Sequence, residues 1–229
     1  MKTLGMIGGI SWESTTHYYQ RLNQLVAERL GGLHSAELLM HSVDFDPIQH
    51  LQHAGDWQAC GRIFTGIARR LEQAGAQGLI VCANTMHILA DEIRAAVSIP
   101  LIHIADATAL AAKQAGVDSV ALLGTRFTME QPFYREVLES HGLQVFTPDE
   151  AGRERLHRII YDELCLGVVK RGSKEAFYRI VDELAKDGAR GAVLGCTEFT
   201  LIADAARSPV PLLDTTELHA RAAVEWMLA

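Results

Sequence analysis

No apolar run in this 229-residue chain approaches the roughly 20 residues that a membrane-spanning helix requires, so a membrane partner is not expected. The opening stretch, Met1 to Gly9, is too short to read as a signal peptide. Proline is scarce, at six residues, and no tract is of low complexity, which leaves little room for a disordered linker. Positive charge is in deficit: 21 Lys and Arg face 28 Asp and Glu, and the net charge of −7 argues against nucleic acid as a partner. The four cysteines, Cys60, Cys82, Cys165 and Cys196, have no CxxC or metal-finger spacing. That usage fits a reduced, cytoplasmic compartment. Among ten histidines only His50 and His53 form a close pair, in a stretch read as a polar loop, so no metal site is expected. The G-x-G-x-x-G dinucleotide fingerprint is also missing: Gly8-Gly9-Ile10-Ser11 offers a tight turn instead.

What the chain does have is an internal repeat. Leu71-Glu72-Gln73-Ala74-Gly75-Ala76-Gln77-Gly78-Leu79-Ile80-Val81-Cys82-Ala83-Asn84-Thr85 reads almost like Leu184-Ala185-Lys186-Asp187-Gly188-Ala189-Arg190-Gly191-Ala192-Val193-Leu194-Gly195-Cys196-Thr197-Glu198. Each copy has the marks of a helix end, a glycine turn, a buried strand and a polar strand tip. In this register Cys196 stands opposite Ala83. Met6 to Gly9 likewise resembles Leu122 to Thr125, and Ile99 to Ile102 resembles Val210 to Leu213.

Short apolar runs read as strands over 4–9, 37–43, 79–83, 100–104, 120–124, 143–146, 192–196 and 211–213. Helices are expected over 14–30, 55–74, 86–97, 129–141, 154–166, 174–187 and 216–228, with Ser11 or Ser14 capping the first. Alternating strands and helices imply an α/β fold with parallel sheets. The marks fit two pseudo-symmetric halves of four strands each, 1–102 and 103–214, with the helix of 215–229 packing back on the first. Ligands of open α/β sheets sit beyond the carboxyl ends of the strands, so the active site is expected in a cleft between the halves.

The residues at those strand ends are small, polar or both. Gly9 and Ser11 open a helix whose backbone N–H groups suit a carboxylate. Asn84, Thr85, Thr125 and Thr197 supply amide and hydroxyl groups, and Arg126 a cation. Capping alone would explain any one of them; their recurrence at equivalent tips favours binding. Cys196 ends a strand and opens a polar segment at the expected N-terminus of a helix, a place that favours the thiolate. Glu198 and His87 are titratable neighbours able to tune it, while Cys60 and Cys165 read as inert core residues.

The strings Gly8-Gly9-Ile10-Ser11-Trp12-Glu13-Ser14-Thr15, Asn84-Thr85-Met86-His87, Leu123-Gly124-Thr125-Arg126 and Gly195-Cys196-Thr197-Glu198 resemble the aspartate/glutamate racemase family, within the Asp/Glu/hydantoin racemase superfamily. The likeness spans essentially the whole chain and is nearest to the bacterial branch of broad-specificity and L-aspartate/glutamate racemases. It implies an isomerase that inverts an amino acid by proton transfer between two thiols, one on each face of the α-carbon, with no pyridoxal or other cofactor. Carried over by position, Cys196 is one acid/base; Ser11, Asn84, Thr85, Thr125 and Thr197 hold the substrate's carboxylate and amine. A homodimer is implied in the same way.

The chain departs from that family at one place. Where the family's first cysteine precedes Asn-Thr, this sequence has Ala83, and Cys82 lies one strand residue away, on the opposite face. A one-sided or impaired racemase is therefore expected. Two alternatives stay open: a single-cysteine decarboxylase of the same superfamily, and a non-catalytic amino-acid-binding protein. The motifs leave open which amino acid is preferred.

Overall fold

Strand β1 (Leu4–Gly8) is buried along its whole length, as a central parallel strand must be. In the computed structural model, which describes residues 1–229, the chain divides into two units, Met1–Ile104 with His219–Ala229, and Ala105–Leu218. After β1 the first unit runs through α1 (Trp12–Leu30), β2 (Leu38–Ser42), α2 (Phe45–Ala54), α3 (Trp57–Gln73), β3 (Gly78–Val81), a 3-10 turn (Thr85–Leu89) and α4 (Ala90–Ala96). Its parallel sheet has the order β2-β1-β3, with Leu4 opposite Leu38 and Gly78.

Side chains alternate across that sheet with the two-residue period of a strand. Leu4, Met6, Ile80 and Cys82 point into a cluster with Tyr18, Leu22, Ala220 and Val224. Ile7, Leu79 and Val81 point into another with Phe64, Ile67 and Ile93. Ser11 caps α1 by accepting the Ser14 N–H at 3.3 Å.

Helix α5 (Ile104–Gln114) starts at the unit boundary, followed by β4 (Ser119–Gly124), α6 (Arg126–Glu130), α7 (Pro132–Ser140), β5 (Gln144–Phe146) and α8 (Glu150–Asp162). A 3-10 turn (Leu164–Leu166), α9 (Arg171–Lys186), β6 (Gly191–Gly195), two more 3-10 turns (Thr197–Leu201, Ala205–Arg207), β7 (Leu212–Asp214) and α10 (Thr215–Leu228) complete the chain. The second sheet is parallel with the order β5-β4-β6-β7. No helix is long and apolar enough to cross a membrane.

The repeat is written into the bonding. Leu79 N–H donates to the Pro100 carbonyl at 2.8 Å, and its counterpart Ala192 N–H to the Pro211 carbonyl at 2.9 Å. Gln77 N–H reaches the Thr3 carbonyl at 2.9 Å, as Arg190 N–H reaches that of Ser119 at 2.9 Å. The α/β class and the parallel sheets are as the sequence predicts, with one correction: the sheets have three and four strands, not four each. The expected strand over 100–104 is a single bridge from Leu101 to Leu79. Pro100 has no N–H to give, and α5 takes over at Ile104, so the run is too short to extend the pairing.

The remaining corrections concern helices. His50 and His53 lie on α2, where each Nδ1 bonds the carbonyl one turn back, 2.8 Å from Asp46 and 2.9 Å from Gln49. Pro47 is accommodated because it falls in the first turn, where N–H groups need no intrahelical partner. The helix expected over 129–141 is broken into α6 and α7 at Gln131, whose extended backbone precedes Pro132.

Candidate active site

Cys196 continues β6 in extended conformation (φ −148, ψ 129) and leads directly into the turn Thr197–Leu201. The strand end beneath it is bare by necessity. A Cβ on Gly195 would stand 2.6 Å from the Leu123 carbonyl oxygen, and one on Gly124 only 3.0 Å from the Gly195 carbonyl. Glycine at both positions lets β4 and β6 end side by side.

The Cys196 Sγ–H donates to Glu198 Oε2 at 3.0 Å, and the Thr197 hydroxyl donates to the same oxygen at 3.1 Å. Cys196 is 8% exposed, within an apolar cluster that includes Leu194 and Phe199. Burial first, then the Glu198 charge and that of Cys165, hold its thiol well above the usual range. This overturns the expected thiolate. The following element is a five-residue 3-10 turn with little dipole; the Glu198 N–H lowers the thiol, but burial and the Glu198 carboxylate outweigh it. Cys196 rests as a protonated thiol with a base in direct contact.

Two neighbours of Cys196 were not singled out from the sequence. Burial raises the Tyr161 phenol, followed by the charges of Cys196, Cys165 and Glu198, which places its ring beside them. Cys165 is half-buried, packed at the edge of the same apolar cluster, and not the core residue expected. Cys60 is, fully buried among the side chains of α3 and its neighbours. The missed signal for Tyr161 was its place one turn after His157 on α8, the two rings 4.8 Å apart; Cys165 follows in the next 3-10 turn.

In the first unit, Ala83 is half-buried and packs against the Phe64–Ile67 cluster, whereas Cys82 is fully buried in the opposite one. Burial pushes the Cys82 thiol far up. Asn84 heads the turn Thr85–Leu89 without capping it through its side chain. Asn84 and Thr85 are 4% and 8% exposed, so both are withheld from bulk water. His87 is buried at the same turn, with Nδ1 2.8 Å from the Ala83 carbonyl.

Gly9 N–H is already given to Thr15 Oγ1 at 2.8 Å, which takes it out of the expected anion cradle. Gly9 serves the turn itself: its φ is +88, and a Cβ would collide with the Val43 backbone. Thr125 caps α6, accepting the Thr128 N–H at 3.3 Å. Arg126 is exposed and lies 3.8 Å from the carboxylates of both Glu130 and Glu154, so its charge is compensated within the second unit. No group of three His, Cys, Asp or Glu residues is arranged to hold a metal ion.

The fold defines a class: an α/β protein of two parallel-sheet units, the second ending a strand in Gly-Cys-Thr-Glu. The chain belongs to the Asp/Glu/hydantoin racemase family, whose profile matches residues 7–223. A Yersinia pestis protein described provisionally as an Asp/Glu racemase is 51% identical with a TM-score of 0.95, each chain covered in full. An aspartate racemase homologue from Pyrococcus horikoshii is 35% identical with a TM-score of 0.86, again over 100% of both chains. The broad-specificity amino-acid racemase RacX of Bacillus subtilis is 25% identical over 166 residues, 71% of this chain and 70% of its own length.

Proposed function

We propose that this protein is a cofactor-independent amino-acid isomerase in which Cys196 is the single acid/base at the α-carbon. Family membership supports amino-acid racemase activity in general. The finer reading rests on one observation above all, the Cys196 thiol donating to Glu198. Proton transfer needs a base of matched strength within hydrogen-bond reach, and this pair provides the contact. The thiol proton passes to the Glu198 carboxylate, the thiolate takes the α-proton, and a carbanion remains on the substrate. Asn84, Thr85, Thr125, Thr197 and Ser11 hold the amino acid's carboxylate and ammonium, and hydrogen bonds to the carboxylate stabilise the charge that develops. The substrate is an acidic amino acid or a broader set, by analogy with the named relatives.

Inversion needs a second donor on the opposite face. The position that family likeness assigns to it holds a methyl group, and the neighbouring Cys82 is sealed into the core on the other side of the sheet. The reaction is therefore one-sided: the carbanion is reprotonated from Cys196 much faster than from the Ala83 side. Proton NMR of L- and D-aspartate, each incubated with the protein in D₂O, tests this. One enantiomer is expected to lose its α-proton signal with retention of configuration, at least tenfold faster than it racemises. Equal exchange of both enantiomers with full racemisation would sink the one-sided mechanism.

A single resting thiol, with alanine where the family likeness places a second one, also suits a decarboxylation, in which one donor quenches a carbanion on one face. Consumption of an arylmalonate with no exchange of aspartate or glutamate would favour that reading.

Glu198→Gln separates the two effects of this carboxylate. Neutralising the charge lowers the Cys196 thiol pKa, so alkylation by iodoacetamide should reach half its limiting rate at lower pH. Because the proton acceptor is lost, α-proton exchange should nonetheless slow by about 10²-fold. Faster exchange in this variant would mean that Glu198 only restrains the thiol.

A further inference from the structure

Three imidazoles are buried together in the first unit, where the chain leaves it at Ile104 and re-enters it at His219. His87, His103 and His219 are 1%, 3% and 0% exposed. The His87 ring is centred 4.6 Å from that of His103 and 5.6 Å from that of His219. Four hydrogen bonds dictate two tautomers. His87 Nδ1 lies 2.8 Å from the Ala83 carbonyl, an acceptor, so this nitrogen carries the proton. Its Nε2 is then free to accept the Ile104 N–H at 3.3 Å. His219 has the reverse arrangement: Nε2–H donates to the Ile102 carbonyl at 2.9 Å, and Nδ1 accepts the Tyr18 hydroxyl at 2.9 Å.

We propose that this cluster is a clamp: His87 and His219, as neutral rings, are positioning residues that tie the Ala83–Thr85 strand tip and α1 to the crossover segment Ile102–Ile104. The geometry stands by itself, and only its catalytic meaning rests on the isomerase reading above. His87 joins the carbonyl of the residue at the missing acid/base position to the first amide of α5. His219, the residue at which the chain re-enters the unit, joins Tyr18 of α1 to the same segment. Asn84 and Thr85 begin the turn that His87 secures, so the clamp sets where the proposed substrate-binding groups stand. Because these nitrogens are committed to backbone and Tyr18, the cluster is not a metal site.

The clamp works only while the rings are neutral. A proton on His87 Nε2 would oppose the Ile104 N–H, and one on His219 Nδ1 would end acceptance from Tyr18. The groups facing the cluster are Tyr18 from α1, Arg94 from α4, His103 ahead of α5 and His219 on α10. Burial leads in lowering both imidazoles, with His103, His219 and Arg94 adding charge repulsion at His87. His219 is lowered to about 4, with His103 adding to burial there. The unfolded chain binds protons from about pH 6.5 downward while the folded rings refuse them, so stability falls as pH drops from there toward about 4.

Histidine ¹⁵N NMR of the whole protein near pH 6 tests the clamp without a variant. His87 is expected as the Nδ1–H tautomer and His219 as Nε2–H, both neutral. A cationic ring, or either tautomer reversed, overturns the proposal. Hydrogen exchange then tests the positioning role. In His87→Phe the amides of 83–87 and 102–104 should exchange at least tenfold faster, with β1 amides unchanged, and His87→Gln should recover part of the protection. Equal acceleration in β1 would reduce His87 to a core residue and overturn the clamp. Where the wild type turns over an amino acid, its KM should rise about tenfold in His87→Phe and recover in His87→Gln; an unmoved KM overturns the positioning role. A wild type with no turnover fails the isomerase reading, while tautomers and amide protection still decide the clamp.

Discussion

Replacing Cys196 by alanine is expected to reduce α-proton exchange by 10³-fold or more and to leave amino-acid binding within a few-fold of wild type. One positioned acid/base commonly contributes 10²–10⁴-fold, and here no second thiol is in place to carry part of the load. Cys82 faces the core, and Cys196 is the thiol that donates to the Glu198 carboxylate at 3.0 Å. The fold should survive, because the thiol is a small buried group whose truncation costs on the order of 1 kcal/mol. Cys196→Ser is a stricter version: a hydroxyl keeps the volume and can still donate to Glu198, but it is far too weak an acid to serve as the base. Calorimetric titration with the amino acid that exchanges fastest checks binding, and NMR in D₂O checks exchange. Binding without exchange in both wild type and variant would identify a sensor. Exchange that persists in Cys196→Ala would place the base elsewhere.

The parts of this fold that the sequence made legible are those fixed by local chemistry. β1, β4 and β6 are buried on both faces, so they read as unbroken apolar runs ended by glycine. The repeated Gly-Ala-x-Gly turns located β3 and β6 and put Ala83 and Cys196 in register. α5 escaped notice because Leu110 stands on its exposed side with Asp106, Lys113 and Gln114, and the leucine interrupts the polar stripe that would show the period. α2 was hidden by Pro47, which looks like a breaker until its first-turn position is known. The missing eighth strand is a contest between neighbours. In the second unit the run after Pro211 pairs three residues with β6, whereas in the first α5 claims the chain after only one.

The site was legible by position more than by state. Sequence alone brought Cys196, Glu198, Asn84 and Thr85 to strand tips, and the structure finds them there. The protonation of Cys196 was misread because it depends on burial and on the rotamer of Glu198, neither of which periodicity reveals. The partners of Gly9 and Arg126 are hidden from the sequence for a similar reason: Thr15 takes the Gly9 N–H, and Glu130 and Glu154 compensate the Arg126 charge. His87 reads from the sequence as a titratable neighbour able to tune Cys196, whereas its bonds run to backbone groups of the first unit.

The converse of removing Cys196 is to supply what Ala83 lacks. Ala83→Cys should convert one-sided exchange into racemisation, raising the rate of inversion by about 10²–10⁴-fold. The site is half-buried, and its carbonyl is already fixed by His87 at 2.8 Å, so a thiol enters a held backbone with a modest steric demand. Chiral chromatography of the products from each enantiomer provides the measurement, with Cys82→Ser as the control. Cys82 points into the Leu4–Met6 cluster, so a hydroxyl there should cost stability and leave inversion untouched. A cysteine at 83 that leaves exchange intact and inversion at its wild-type rate would show that the opposite face is served by some other group, and that Ala83 is not the cause of the asymmetry. Inversion appearing together with the new thiol would mean that a single side-chain difference separates this chain from a two-sided racemase.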